Sequence, residues 1–243
     1  MGGLKTFYGS SIGKKITVAV TGCIMILFVL GHMIGNLQIF EGPGEHGGKP
    51  KLDKYAEFLR IEPGFLWAIR LGLLATVVIH AITILQLTLE NKRARAVAYA
   101  VKKPQAATLS SRTMFWGGLA LFAFIVFHLL HLTTGTVLSR YHNVYPETHL
   151  PRAYENVVGS FQNPLVAGIY IVAMLVILLH LNHGIKSAFE TLGVTHPKFV
   201  NLVRVGGPIL ALLVAAVCRE PAPPEAAVPG PVFNVKAFGA TGL

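Results

Sequence analysis

The stretch ITVAVTGCIMILFVLGHMIGNLQIF, Ile16–Phe40, carries no charged side chain. A helix rises about 1.5 Å per residue, so about 20 consecutive apolar residues cover the ~30 Å hydrocarbon layer of a bilayer, and this run is long enough to cross one. It is too long for the h-region of a cleavable signal peptide and lacks a small-residue cleavage pattern, so the first helix is expected to stay. Working outward, similar runs follow at Phe65–Leu89, where Arg70 is the single charge, at Thr113–Leu138 and at Pro164–Ile185. A fifth, Phe199–Cys218, is less uniform: Arg204 must snorkel toward the surface from its first turns, and Gly206, Gly207 and Pro208 interrupt it.

Composition agrees with this reading. The chain is 53% hydrophobic and 13% charged, with a mean hydropathy of +0.57, against about 25% charged residues in an ordinary soluble domain. The expected fold is all-α: an integral membrane bundle of about five transmembrane helices over residues 1–218, followed by a Pro/Ala/Gly-rich tail at 219–243. Cys23 and Cys218 do not suggest a disulfide, and the absence of a C-x-x-C-H motif argues against covalently attached haem. The net charge of +10 reflects loop bias and a scarcity of acids. No basic patch on a soluble fold is evident, so no nucleic-acid partner is expected.

Orientation follows from the loops. Lys5, Lys14, Lys15, Lys92, Arg93, Arg95, Lys102, Lys103, Arg112, Lys186, Lys198 and Arg204 fall on one side; Lys49, Lys51, Lys54, Arg60, Arg140, Arg152, Arg219 and Lys236 fall on the other, over longer segments. The positive-inside rule then places the N-terminus of this multi-pass chain in the cytoplasm. The outer segments Glu41–Pro50 and Arg140–Asn163 read as short irregular connections.

The histidines carry the chemistry. Six of the ten, His32, His80, His128, His131, His180 and His183, lie within apolar spans, where an ionisable group is costly without a partner. His32 lies 17 residues after Lys15, His80 17 after Pro63, His128 16 after Arg112 and His180 16 after Pro164. Four successive helices thus place a histidine at one distance from the polar residue that opens each span. Because successive spans run in opposite directions, His32 and His128 belong to the external side, and His80 and His180 to the cytoplasmic side. A four-helix core could hold two stacked planar cofactors, each ligated by two imidazoles, which suits bis-histidine haem b. Zinc would need three or four ligands converging on one point.

A lone intramembrane histidine more often makes a helix-to-helix hydrogen bond, but four at matched depth favour ligation. His131 and His183 follow two of the candidates by three residues and stand as alternative ligands. His46, His142, His149 and His196 fall in loops. Gly22, Gly31, Gly35, Gly72, Gly117, Gly118 and Gly168 fit either close helix packing or room for a macrocycle.

Several motifs also match a family pattern. Ser10-Ser11-Ile12-Gly13-Lys14-Lys15, Thr21-Gly22, Gly31-His32-Met33-Ile34-Gly35-Asn36-Leu37, Phe127-His128-Leu129-Leu130-His131 and Ser160-Phe161-Gln162-Asn163-Pro164 lead to His180-Leu181-Asn182-His183-Gly184, Ser187-Ala188-Phe189 and Leu192-Gly193. Together they closely resemble the one-chain, five-helix, diheme cytochrome b subunit of bacterial succinate dehydrogenases and fumarate reductases, over roughly residues 7–203. In that family the first histidine of His-x-x-x-Gly ligates haem, which points to His180. The broken fifth span and Pro-rich tail depart from the pattern.

The resemblance implies a complex with a flavoprotein and an iron–sulfur subunit on the cytoplasmic side. Succinate chemistry would occur in the flavoprotein, and this chain would carry electrons and supply the quinone site, with menaquinone the family's usual partner. The implied path runs from the iron–sulfur subunit to the haem of His80 and His180, then to the haem of His32 and His128, then to quinone. Anionic propionates need cationic or hydroxyl partners. Ser11, Lys14 and Lys186 are candidates on the cytoplasmic side, with Arg70 on the outer side; plain interfacial anchoring explains the lysines equally well, and snorkeling is the alternative for Arg70. Glu62, at the external mouth of span two, is the candidate proton-exchanging residue of the quinone site, against a helix-start acid as its structural explanation. Two other functions fit parts of the pattern: the diheme anchor of another respiratory enzyme, and a transporter without haem whose histidines relay protons.

Overall fold

A computed structural model describes residues 2–44, 48–94 and 109–194. The fifth span expected at 199–218, the tail at 219–243, His46 and His196 lie outside the described residues. Within them the regular structure is helical, apart from one isolated bridge between Val144 and Pro151. In chain order the helices are α1 (Gly2–Gly9), α2 (Ser11–Asn36), α3 (Lys51–Phe58), α4 (Pro63–Arg93), α5 (Leu109–His128), α6 (Ala153–Phe161) and α7 (Pro164–Thr191). Helix α2 runs on into a 3-10 turn over Leu37–Glu41, and α5 into a π turn over Leu129–Thr133.

With those extensions, four helices are long and apolar enough to cross a membrane: Ser11–Glu41, Pro63–Arg93, Leu109–Thr133 and Pro164–Thr191. Leu27, Leu71, Leu74, Trp116, Leu165 and Val172 stand exposed on them. So much outward apolar surface is costly in water and is satisfied by lipid, compatible with a multi-pass membrane protein.

Local chemistry explains where these helices begin. The Ser10 hydroxyl oxygen caps α2 by accepting from the Gly13 N–H at 2.9 Å, and Asn163 caps α7 by accepting from the Leu165 N–H at 3.0 Å. Proline opens both α4 and α7, where its missing N–H costs nothing. Threonines inside the spans return their hydroxyl protons to their own helix: Thr76 to the Gly72 carbonyl at 2.7 Å, Thr83 to Ile79 at 2.6 Å and Thr88 to Ile84 at 2.8 Å. Their hydroxyl protons are then not left bare in the apolar layer.

The helices extend past the apolar runs because their polar flanks remain helical. Lys14 and Lys15 lie inside α2, and α4 continues through Lys92 and Arg93. The third span is displaced from the expected 113–138 to Leu109–Thr133. Its end is forced by backbone geometry, since Gly135 and Leu138 take φ of 67° and 57°, the left-handed region that a helix cannot include.

Helix α2 packs closely against both α4 and α7, and α5 packs against α7. This arrangement makes α2 and α5 one diagonal of a four-helix bundle, and α4 and α7 the other. Small buried residues at the contacts, Ala19, Ala173 and Ala188, let the backbones approach. At the N-terminal end the buried Lys14 pairs with Glu90, the Tyr8 hydroxyl lies 3.0 Å from that of Thr83 and donates to Gln86 at 3.1 Å, and Asn182 donates to the Ser110 hydroxyl at 3.1 Å.

At the opposite end Glu41–Pro50 has no α-helix among its described residues, as expected, but Arg140–Asn163 is not the irregular connection expected: it contains α6, which packs on α3 as a cap. Asp53, 1% exposed, joins them by accepting from the Tyr145 hydroxyl at 2.6 Å and from the Tyr154 N–H at 2.8 Å. Asn156 fastens the preceding loop through both halves of its amide, at 2.7 and 3.0 Å from the Asn143 backbone. Helices of two turns are marginal in isolation, so it is this mutual packing that makes them helical.

Candidate cofactor site: two layers of histidine

The bundle carries its intramembrane histidines in two layers. In the layer nearer the cap, His32 of α2 meets His128 of α5 with ring centres 5.9 Å apart and planes nearly perpendicular. In the layer nearer the N-terminus, His80 of α4 and His180 of α7 are electrostatic neighbours. Each pair joins the two helices of one diagonal, across the axis of the bundle.

The glycines give the spacing between layers. A Cβ on Gly22 of α2 would meet His80 at 3.6 Å, and one on Gly118 of α5 would meet His180 at 3.4 Å. Gly22 and Gly118 therefore mark the N-terminal-side layer on the very helices that carry His32 and His128. Both offsets are ten residues, which at 1.5 Å per residue separates the layers by about 15 Å. On the other diagonal, Arg70 precedes His80 by ten residues and Tyr170 precedes His180 by ten, so both belong to the cap-side layer. Measured from the observed helix starts the histidines no longer share one count, while His32 lies beside His128 and His80 neighbours His180.

Hydrogen-bond geometry assigns a tautomer to His80 in one layer and to His131 and His128 in the other. The Thr21 hydroxyl gives its proton to the Thr17 carbonyl at 2.7 Å, with the Val18 carbonyl at 3.1 Å. Its oxygen, 2.9 Å from His80 Nδ1, must then accept, which leaves the lone pair of His80 on Nε2. In the cap-side layer the Ser160 hydroxyl donates to the Asn156 carbonyl at 2.5 Å, so it accepts from His131 Nε2–H at 3.0 Å. His131 Nδ1 accepts from the Tyr170 hydroxyl at 3.0 Å. The Tyr170 oxygen then accepts from His128 Nδ1–H at 3.3 Å, and His128 is left with a bare Nε2.

His131 thus has both ring nitrogens engaged and is 2% exposed; His128 keeps one free. His180 Nδ1 is buried and has no hydrogen-bond partner among the described residues. Such an atom costs about 1–3 kcal/mol.

The spacing of His32 and His128 fits a bis-imidazole metal cofactor. Two metal–nitrogen bonds of about 2.0 Å, plus about 1.1 Å from each nitrogen to its ring centre, place two ligating rings about 6 Å apart, close to the separation of His32 and His128. No group of three or more His, Cys, Asp or Glu able to hold a bare metal ion occurs among the described residues.

The remaining candidates are distributed as follows. Arg70 sits 5.3 Å from the Trp67 ring centre and close enough to Arg60 to act on its charge. Burial, then the Arg70 charge, holds the Arg60 guanidinium below its ordinary value, and Arg60 donates to the Ala56 carbonyl at 2.6 Å. Lys14 is held by Glu90, Lys186 is exposed and 3.7 Å from Glu190, and Ser11 opens α2 on an exposed turn. Glu62 is exposed and precedes α4 as its N-cap residue without a capping side-chain bond. It does not join either histidine layer through any described contact. Tyr170, Asn156 and Arg60 were not singled out as site residues by sequence reasoning, and Ser160 entered there only as the first residue of the Ser160–Pro164 motif. No family model, curated protein or solved structure matches this chain.

Proposed function

We propose that this chain is the membrane-anchoring diheme cytochrome b subunit of a succinate:quinone oxidoreductase, partnered by a flavoprotein and an iron–sulfur subunit on its cytoplasmic side. The observation that carries the proposal is the pair of histidine layers about 15 Å apart, each spanning a diagonal of the bundle, with His80 and His128 presenting unprotonated Nε2. In this reading His32 and His128 hold the outer haem b, and His80 and His180 the cytoplasmic-side haem. A haem in each layer supplies reversible one-electron transfer between a cytoplasmic donor and membrane quinone.

The chain itself binds, orients and excludes water. Thr21 holds the His80 ring in one tautomer, as outer-shell partners of ligating histidines do. Gly22 and Gly118 face the imidazoles of His80 and His180, where a Cβ would already stand in van der Waals contact with the rings. Arg70, with Arg60 beside it, offers cations to an anionic carboxylate at the outer layer. Lys14 is engaged by Glu90, which leaves Ser11 and Lys186 as the freer partners on the cytoplasmic side. Glu62 at the cap-side mouth is assigned to the quinone site, menaquinone by resemblance.

A haem-free proton-relaying transporter draws support from the chain of hydrogen bonds from His128 to Asn156. That chain serves one layer only, whereas the Thr21–His80 contact ends at a backbone carbonyl after one link, which favours ligation. A reduced-minus-oxidised visible spectrum of the purified protein tests the proposal: a b-type α band with two haems per chain supports it, and a featureless spectrum refutes it. Copurification of a flavin-containing subunit separates this complex from other respiratory cytochromes b.

A further inference from the structure

Tyr170 lies on α7, one helix away from both diagonal partners of the cap-side layer, and its hydroxyl is the only described group that touches two histidines. It donates to His131 Nδ1 at 3.0 Å and stands 3.3 Å from His128 Nδ1. Its ring is fixed from several sides: Phe161 at 4.8 Å, Phe124 at 5.1 Å and Phe127 at 6.0 Å between ring centres, with the residue 7% exposed. Behind it, His131 is anchored through Ser160, 0% exposed, to the Asn156 carbonyl. The π turn at Leu129–Thr133 carries His131 immediately beyond His128, and such turns recur at functional sites.

We propose that Tyr170, His131 and Ser160 form a one-way hydrogen-bond relay that positions His128 and sets its donor strength toward the metal it ligates, so that the outer haem is held at a lower potential than the same ligand pair would give unaided. The inference rests on the reading of His32 and His128 as ligands. Direction in the relay is dictated at its far end. The Ser160 hydroxyl has one proton and a 2.5 Å bond to the Asn156 carbonyl consumes it, so each later group has one remaining option, ending with His128 donating from Nδ1. A ligating imidazole that donates from its second nitrogen becomes a more basic ligand and stabilises the oxidised metal. The N-terminal-side layer has a one-link counterpart in Thr21, so the two sites are tuned by different groups.

Tyr170→Phe removes the hydroxyl and keeps the ring packing. Potentiometric titration of the complex in membranes, followed in the α band, should show both haems retained, the outer midpoint raised and the inner midpoint unmoved. The low-temperature EPR signal of the oxidised outer haem should shift with it. Ser160→Ala, which frees the far end, should raise the same midpoint by less, and Ser160→Thr should restore it. If Tyr170→Phe leaves both midpoints and the EPR signal unchanged, the relay does not act on the haem and the inference falls, with the ligand assignment intact. If Tyr170→Phe loses the outer haem altogether, Ser160→Ala decides: a raised outer midpoint supports the relay, and an unmoved one overturns it. If the unaltered complex carries no b haem, the functional reading itself fails, a result distinct from the others.

Discussion

Thr21→Val is the most discriminating test of the N-terminal-side layer. The side chain is 8% exposed, and valine replaces its hydroxyl by a methyl group of similar shape. His80 Nδ1–H would lose its acceptor at 2.9 Å while staying buried, a loss of about 1–3 kcal/mol. At 1.4 kcal/mol per factor of ten, that corresponds to roughly 5–150-fold weaker hold on a ligand bound through His80, matching the about 10–100-fold typical when an outer-shell partner of a ligating histidine is removed. The assay is retention of the haem belonging to His80 and His180, recognised by its own midpoint potential, in detergent against an excess of a haem-scavenging protein. Thr21→Ser keeps the acceptor and should behave as the parent. Equal retention by Thr21→Val and the parent would show that the hydroxyl does not orient a ligand, and the tautomer argument for His80 would be lost.

Three further outcomes are expected. Substituting His32 or His128 should each remove one haem and substituting His80 or His180 the other, while His131→Ala and His183→Ala keep both α bands; loss of the same haem from His32 and His80 variants would refute the diagonal pairing. The loop over Glu90–Arg112 should face the cytoplasm, so a cysteine at Ala98→Cys should resist an impermeant reagent in intact cells, and efficient labelling would reverse the assignment of layers to sides. Burial, and then the hydrogen bond to and charge of Asp53, raise the Tyr145 phenol well above its ordinary value. A raised folded value means its stabilisation of the cap is present below about pH 10 and is lost as pH rises further; cap proteolysis should accelerate above that range, and Tyr145→Phe, lacking the phenol, should flatten the alkaline dependence.

Four of the spans, and the depth of the histidines along them, were legible in the residues because both rest on one-dimensional quantities. A run such as Pro164–Ile185 needs only length and apolarity to be recognised, and a histidine's place along a helix is a count. Three things were not available that way. The two-turn helices α3 and α6 owe their form to packing on each other through Asp53, a contact across about 100 residues of chain that no local pattern announces. The ends of the spans moved because polar flanks such as Lys14–Lys15 stay helical when a partner like Glu90 is within reach, and because the left-handed Gly135 stops α5 early. Sequence counting preferred His128 to His131, three residues further on, by depth alone; the hydrogen bonds that bear on that preference come from neighbours on α6 and α7, Ser160 and Tyr170, which occupy both nitrogens of the His131 ring and a single nitrogen of the His128 ring. Depth in a membrane is a property of one helix, whereas the direction of a hydrogen bond depends on which groups the other helices bring to it.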